Sequence, residues 1–198
     1  MHFKLALWRV FADRKTLLLG ILISLVPILN FALYGLANEC ARSPNNRRMP
    51  AWHGFGSLWV SGLKTVLITA VYLVPAVAVF VLSYVILDFE LYFVWASIVL
   101  GAIAYYLLPM GWISFANRHW RDAFKLGRIL GLCLSWKYLG AWLVVLIATI
   151  IVMFVLQLAA IPLAITIIGP FIVAGFISFW TVIFSFTYYG QAYDELGG

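Results

Sequence analysis

From Tyr138 to Tyr193 the chain carries no charged side chain: after Lys137 the next is Asp194, and nearly everything between is aliphatic, aromatic or glycine. So long a stretch suits lipid rather than water. A spanning helix needs about 20 apolar residues to cross about 30 Å of hydrocarbon, so the run holds two crossings and a turn. Helix breakers cluster only at Pro162 and Gly169-Pro170, which bracket Leu163 to Ile168. A helical hairpin is predicted, with spans over 141–161 and 170–190.

The preceding half repeats the pattern. No charge occurs from Thr65 to Leu87, and Pro75 lies near the middle, so a kinked span is expected over 66–87. Asp88-Phe89-Glu90 ends it. A further span over 91–114 follows at once, which makes these two helices antiparallel neighbours joined by a short turn. The predicted fold is all-α: a polytopic membrane helix bundle with four spanning helices in two hairpins.

Three segments lie outside those spans. The apolar run 16–37 is long enough to cross, yet Pro27 and Asn30 sit at its centre, where a missing backbone donor and an amide are unwelcome in lipid. It is either a kinked crossing or a re-entrant pair of half-helices turning at Pro27 to Asn30. The polar loop Glu39 to Pro50 leads to Trp52, Phe55 and Trp59, which recur at roughly helical spacing and are expected to anchor at the headgroup level. Over 118–137 an amphipathic surface helix is expected. At 100° per residue Arg118, Arg121, Asp122, Lys125 and Arg128 share one arc, and Trp120, Ala123, Phe124, Gly127 and Leu130 the other.

Charge supports a membrane location. Charged residues make up 10% of the chain and hydrophobic ones 65%, with a mean hydropathy of +1.04. A soluble domain has about a quarter of its residues charged. The net charge of +6 sits in short segments between apolar runs, a placement that fits phospholipid headgroups better than nucleic acid. The positive-inside bias puts the basic segments after the first run and after the second span in the cytoplasm, with the C-terminus. If the first run is re-entrant, all 13 Lys and Arg share that side; this form is favoured.

The ordered residues Asp13-Arg14-Lys15, Leu19-Gly20, Val26-Pro27-Ile28-Leu29-Asn30, Met49-Pro50-Ala51-Trp52, Phe55-Gly56, Ser61-Gly62-Leu63-Lys64 and Tyr189-Gly190-Gln191-Ala192-Tyr193 resemble a prokaryotic membrane family known as domain of unknown function 4013. The resemblance covers nearly the whole chain. It implies an integral membrane protein and carries no activity.

Catalytic signatures do not emerge. No serine sits in a Gly-x-Ser-x-Gly turn, no glycine-rich phosphate loop occurs, and carboxylates do not pair within a span. His2, His53 and His119 fall in tails or loops, and Cys40 and Cys133 lack ligand spacing, so no cofactor or metal is expected and both cysteines are read as free thiols. Small residues four apart, Gly20 and Ser24 or Ala174 and Ser178, permit close helix contact and hence oligomers. The expected function is a non-catalytic membrane component, an accessory or scaffold that meets anionic lipid or companion subunits through Arg47, Arg48, Arg118, Arg121, Lys125 and Arg128. The alternative is a passive channel or transporter for a small solute, with Asn30 in the re-entrant run lining its path.

Overall fold

The computed structural model describes residues 1–86, 90–163, 166 and 168–197, without the side chain of residue 86. Eight α-helices are α1 (Phe3–Arg9), α2 (Arg14–Ser24), α3 (Pro27–Arg42), α4 (Phe55–Ile86), α5 (Leu91–Asn117), α6 (Leu126–Cys133), α7 (Trp136–Leu163) and α8 (Ile168–Glu195), with a 3-10 turn at Trp120–Phe124. Four of them, α4, α5, α7 and α8, are long and apolar enough to cross a membrane. They pair as the two expected hairpins.

Each helix runs past its predicted span at one end at least: α4 starts at Phe55, α5 ends at Asn117, α7 starts at Trp136 and α8 ends at Glu195. Trp52 alone precedes α4, while Phe55 and Trp59 form its first turns rather than a separate element. Gly54 opens the helix with a positive φ of 62°, a conformation that a side chain would oppose. Pro75 and Pro109 lie within α4 and α5. Pro162 falls in the last turn of α7, and Gly169-Pro170 in the first turn of α8, where a proline has no helical N–H bond to lose. Asp88, expected at the end of the span over 66–87, lies outside the described residues; Glu90 immediately precedes α5. Of the expected turn between α7 and α8, Thr166 is described, and its hydroxyl donates to the Leu163 carbonyl at 2.8 Å.

The run 16–37 folds back on itself. A continuous helix from Arg14 to Arg42 would separate its ends by about 43 Å. Instead Arg9, just before α2, reaches across to the carbonyls of Cys40 at 3.0 Å and Ser43 at 2.9 Å, just after α3. α2 and α3 therefore form a hairpin whose outer ends lie together. Its break falls at Leu25–Val26, two residues earlier than expected, and Pro27 through Asn30 form the first turn of α3. Pro27 occupies the first helical position, where its fixed φ favours the helix.

α8 is the hub of the packed end. Its residues Phe179, Trp180, Ile183, Phe184 and Phe186 are buried against α1, α2, α3 and α5. Trp180, Phe184 and Tyr188, four apart, stack with centroids 4.7 and 5.9 Å apart, and Phe3 meets the last two edge-on. Gly20 lies beneath Phe179, and the Ser24 hydroxyl donates to the Gly175 carbonyl at 2.9 Å. That small-residue pair thus serves packing within the chain. α3 is held equally closely by α4. A methyl built on Gly35 would overlap the Leu58 carbonyl, and one on Gly62 the Phe31 carbonyl, so the two backbones touch.

Residues 118–137 form three pieces, not one helix. The Asp122 carboxylate takes the His119 N–H at 3.2 Å and pairs with Lys125 at 2.6 Å, which favours a tight 3-10 turn. Lys125 then leaves helical geometry, with φ −77° and ψ 74°. A second break follows α6, where the Ser135 hydroxyl accepts the Tyr138 N–H at 3.2 Å and so starts α7.

Candidate functional site

The basic residues gather at one end of the bundle. Arg42 donates to the Ala116 carbonyl at 2.5 Å, tying the end of α3 to the end of α5. Arg128 donates to the Tyr193 hydroxyl at 3.2 Å and lies 5.9 Å from that ring, tying α6 to the end of α8. The Met1 amine pairs with Glu195, and Gln191 donates to the Pro44 carbonyl at 3.2 Å. The start of the chain, the loop after α3, the segment after α5 and the end of α8 thus converge.

The predicted contact residues divide. Arg118, Arg121 and Lys125 are exposed, although Lys125 shares its charge with Asp122. Arg128 is half-buried and turned toward Tyr193 rather than standing on a common arc with them. Arg47 and Arg48 are exposed on the loop after α3. Lys125 holds the Asp122 carboxyl below the usual carboxylate range, with the His119 N–H adding to the effect.

The predicted aromatic anchors also make contacts within the chain. Trp59 donates its indole N–H to the Ile28 carbonyl at 2.8 Å and packs edge-on against Phe31; Trp52 reaches the Thr16 carbonyl at 3.4 Å. Both therefore hold the hairpin of α2 and α3 against the start of α4. Trp120 packs against Phe115 and Phe124, and Phe55 is exposed. Within the hairpin, the Asn30 side-chain oxygen is buried without a hydrogen-bond partner among the described residues.

Two polar residues that the sequence reading passed over are buried at the centre of this end. Asn38, fully buried, donates to Ser61 Oγ at 3.0 Å and Thr65 Oγ1 at 2.9 Å, clamping α3 to α4. Arg9 is only 1% exposed. Beyond its two carbonyl acceptors it donates to Ser43 Oγ at 3.2 Å, but its Nε–H has no acceptor, and it makes no ion pair with a carboxylate among the described residues. A signal existed: on a helical wheel Arg9 falls between Leu5 and Ala6, on a face too apolar for a solvated cation.

Beside Arg9 a cavity of about 710 Å³ opens between α1 and the loop after α3, with Lys4 and Arg47 on its walls. His2, Trp8 and Asn45 complete its rim. Three cations thus line one groove. Among the described residues no cluster of three His, Cys, Asp or Glu is placed to hold a metal, and Cys40 and Cys133 are buried free thiols.

Two apolar hairpins, a folded-back pair packed on α8 and cations gathered at one end define a multi-pass helical membrane protein. The model of a family described as protein of unknown function, DUF4013, matches residues 18–165, and the chain belongs to that family. No curated protein and no solved structure matches it.

Proposed function

We propose that this protein is a non-catalytic membrane component that presents its cationic end to the cytoplasm and there engages anionic lipid headgroups or the acidic surface of a companion subunit. The observation that carries this is the folded-back hairpin of α2 and α3, read as re-entrant. With Arg9 bonded to Ser43, the N-terminal segment shares a side with the segments after α3 and α5, so all 13 Lys and Arg obey one positive-inside bias. Near an anionic leaflet each such cation contributes about 1 kcal/mol of attraction. Cysteines placed at positions 4, 121 and 166 test the arrangement in intact cells. An impermeant thiol reagent should label position 166 alone, and positions 4 and 121 only after lysis. Labelling of position 4 from outside overturns the proposal.

A channel is the second reading, favoured by the unpartnered oxygen of Asn30 inside the hairpin. On that reading Asn30→Leu abolishes solute flux in proteoliposomes while leaving expression intact, and unchanged flux excludes it.

A further inference from the structure

A buried guanidinium with an idle donor, set in the wall of a groove that holds two more cations, is an arrangement that water alone satisfies poorly. Burying an unpaired charge is costly unless an anion or several acceptors compensate it. Arg9 Nη1 and Nη2 are engaged by Cys40 and Ser43, which fixes the plane of the guanidinium, while Nε–H is left without an acceptor. Lys4 and Arg47 line the same cavity. Three carboxylates are occupied elsewhere: Glu195 by the Met1 amine, Glu39 by Arg42, and Asp13 by the hydroxyl of Thr16 at 2.6 Å. A planar fork flanked by two flexible cations suits a phosphate oxygen set.

What lies next to the groove points to the rest of the ligand. Trp8, 65% exposed, borders both the basic groove and a second cavity of about 370 Å³. That second space is apolar, walled by Phe11 beside α1, Ile151 and Val155 of α7, and Phe176 of α8. It leads away from the charged end, since His2 bonds Gln191 whereas Phe11 packs 6.1 Å from Phe176. A polar groove at the charged end thus continues into a greasy slot running toward the middle of α7 and α8. That is the form of an amphiphile.

We propose that the groove and slot together bind one anionic glycerophospholipid, its phosphate held by Arg9, Lys4 and Arg47 and one acyl chain laid past Trp8 between α1 and α7. The inference rests on the anionic-lipid reading above but assigns it to this site rather than to Arg118, Arg121 and Lys125.

Native mass spectrometry of the detergent-purified full chain, supplied with equal phosphatidylglycerol and phosphatidylcholine of matched chains, tests it. The wild type should retain one phosphatidylglycerol in preference. K4Q/R47Q should weaken that retention about thirtyfold, and R118Q/R121Q/K125Q should leave it unchanged. Val155→Trp, on an exposed face, should fill the slot and lower retention without disturbing the fold. Arg9→Lys keeps the charge but loses the fork, and should also weaken binding; protection of Cys40 from thiol reagent in every variant confirms that the hairpin is intact. Loss in the triple variant but not in K4Q/R47Q overturns this site while sustaining the broader proposal, and no preference for phosphatidylglycerol in the wild type overturns both. Glycerol 3-phosphate binding the wild type as tightly as phosphatidylglycerol would show a soluble phosphate site and overturn the role of the slot.

Discussion

Gly62→Ala is the most informative single change in the bundle. The built methyl overlaps the Phe31 carbonyl, a backbone atom that cannot rotate away, and it also crowds the Gly35 N–H at 2.9 Å. To restore ordinary contact α3 and α4 must part by about 1.5 Å, toward the usual interaxial distance of about 8–10 Å for helices with side chains between them. Overpacking of this kind costs about 1–3 kcal/mol. Parting also stretches the bonds from Asn38 to Ser61 and Thr65, now 3.0 and 2.9 Å, beyond useful length. Each such bond contributes about 0.6 kcal/mol in a membrane protein. The total is about 2–4 kcal/mol.

Cys40 supplies the assay, because it is fully buried in α3. In a Cys133→Ala background a thiol-reactive fluorophore reports opening of α3 alone. Where opening equilibrates before labelling, Gly62→Ala should raise the rate about 30- to 1000-fold. Gly56→Ala is the control, since nothing lies within 4 Å of its added methyl in the same helix; alanine's better helix propensity should leave labelling unchanged or slower. Equal rates for Gly62→Ala and wild type, or an equal increase in Gly56→Ala, would refute the close backbone contact.

Asn38→Leu should destabilise the detergent-solubilised protein by about 1–2 kcal/mol through the lost α3–α4 clamp, measured by the same Cys40 labelling. Arg128→Gln removes the Tyr193 bond and ring contact and should cost about 1 kcal/mol, whereas exposed Arg121→Gln should stay within about 0.5 kcal/mol of wild type; thermal unfolding distinguishes them. The Thr16 hydroxyl and the Lys15 N–H lower the Asp13 pKa, and Lys125 and His119 lower that of Asp122. Both carboxylates therefore stabilise their caps above the unfolded value, and that contribution is lost as pH falls through the lower folded one. Hydrogen exchange at residues 15–17 and 119–125, corrected for its intrinsic pH dependence, should stay flat from neutral pH to about 5 and rise below about 4. Asp13→Asn should remove the change at α2 alone.

Spans were legible because hydrocarbon imposes a length and excludes charge, and both constraints are written residue by residue. A break in the first run followed from Pro27 and Asn30, although it lies at Leu25–Val26: proline is as compatible with starting α3 as with breaking a helix. The surface segment was less legible. Periodicity placed Arg118, Arg121 and Lys125 outside and Ala123 inside, but Asp122 is buried and Leu130 exposed, because Asp122 and Ser135 commit their side chains to backbone donors and divide the helix. Arg9, Asn38, Gly35 and Gly62 escaped attention because their importance lies in contacts between distant segments, which no local pattern carries.

Packing and charge share one polarity, and each accounts for the other. At the far end, α4 from Val77 to Val85, α5 from Leu91 to Ile103 and the first turns of α8 expose most of their large side chains, as helices do when lipid is their neighbour. At the basic end α1, α2 and α3 add a second layer, and there most of the buried polar groups lie, Arg9, Asn38, Thr65, Ser114, Thr187 and Gln191 among them, against Ser83 and Ser97 at the far end. Polar groups are affordable in that layer because the short helices offer free carbonyls at their ends, as Cys40, Ser43 and Pro44 do. A folded-back hairpin therefore creates acceptors at the basic end of the bundle. The same geometry that buries Arg9 leaves its Nε–H without an acceptor beside the basic groove, and this is why the structural arginine and the candidate lipid site share one residue.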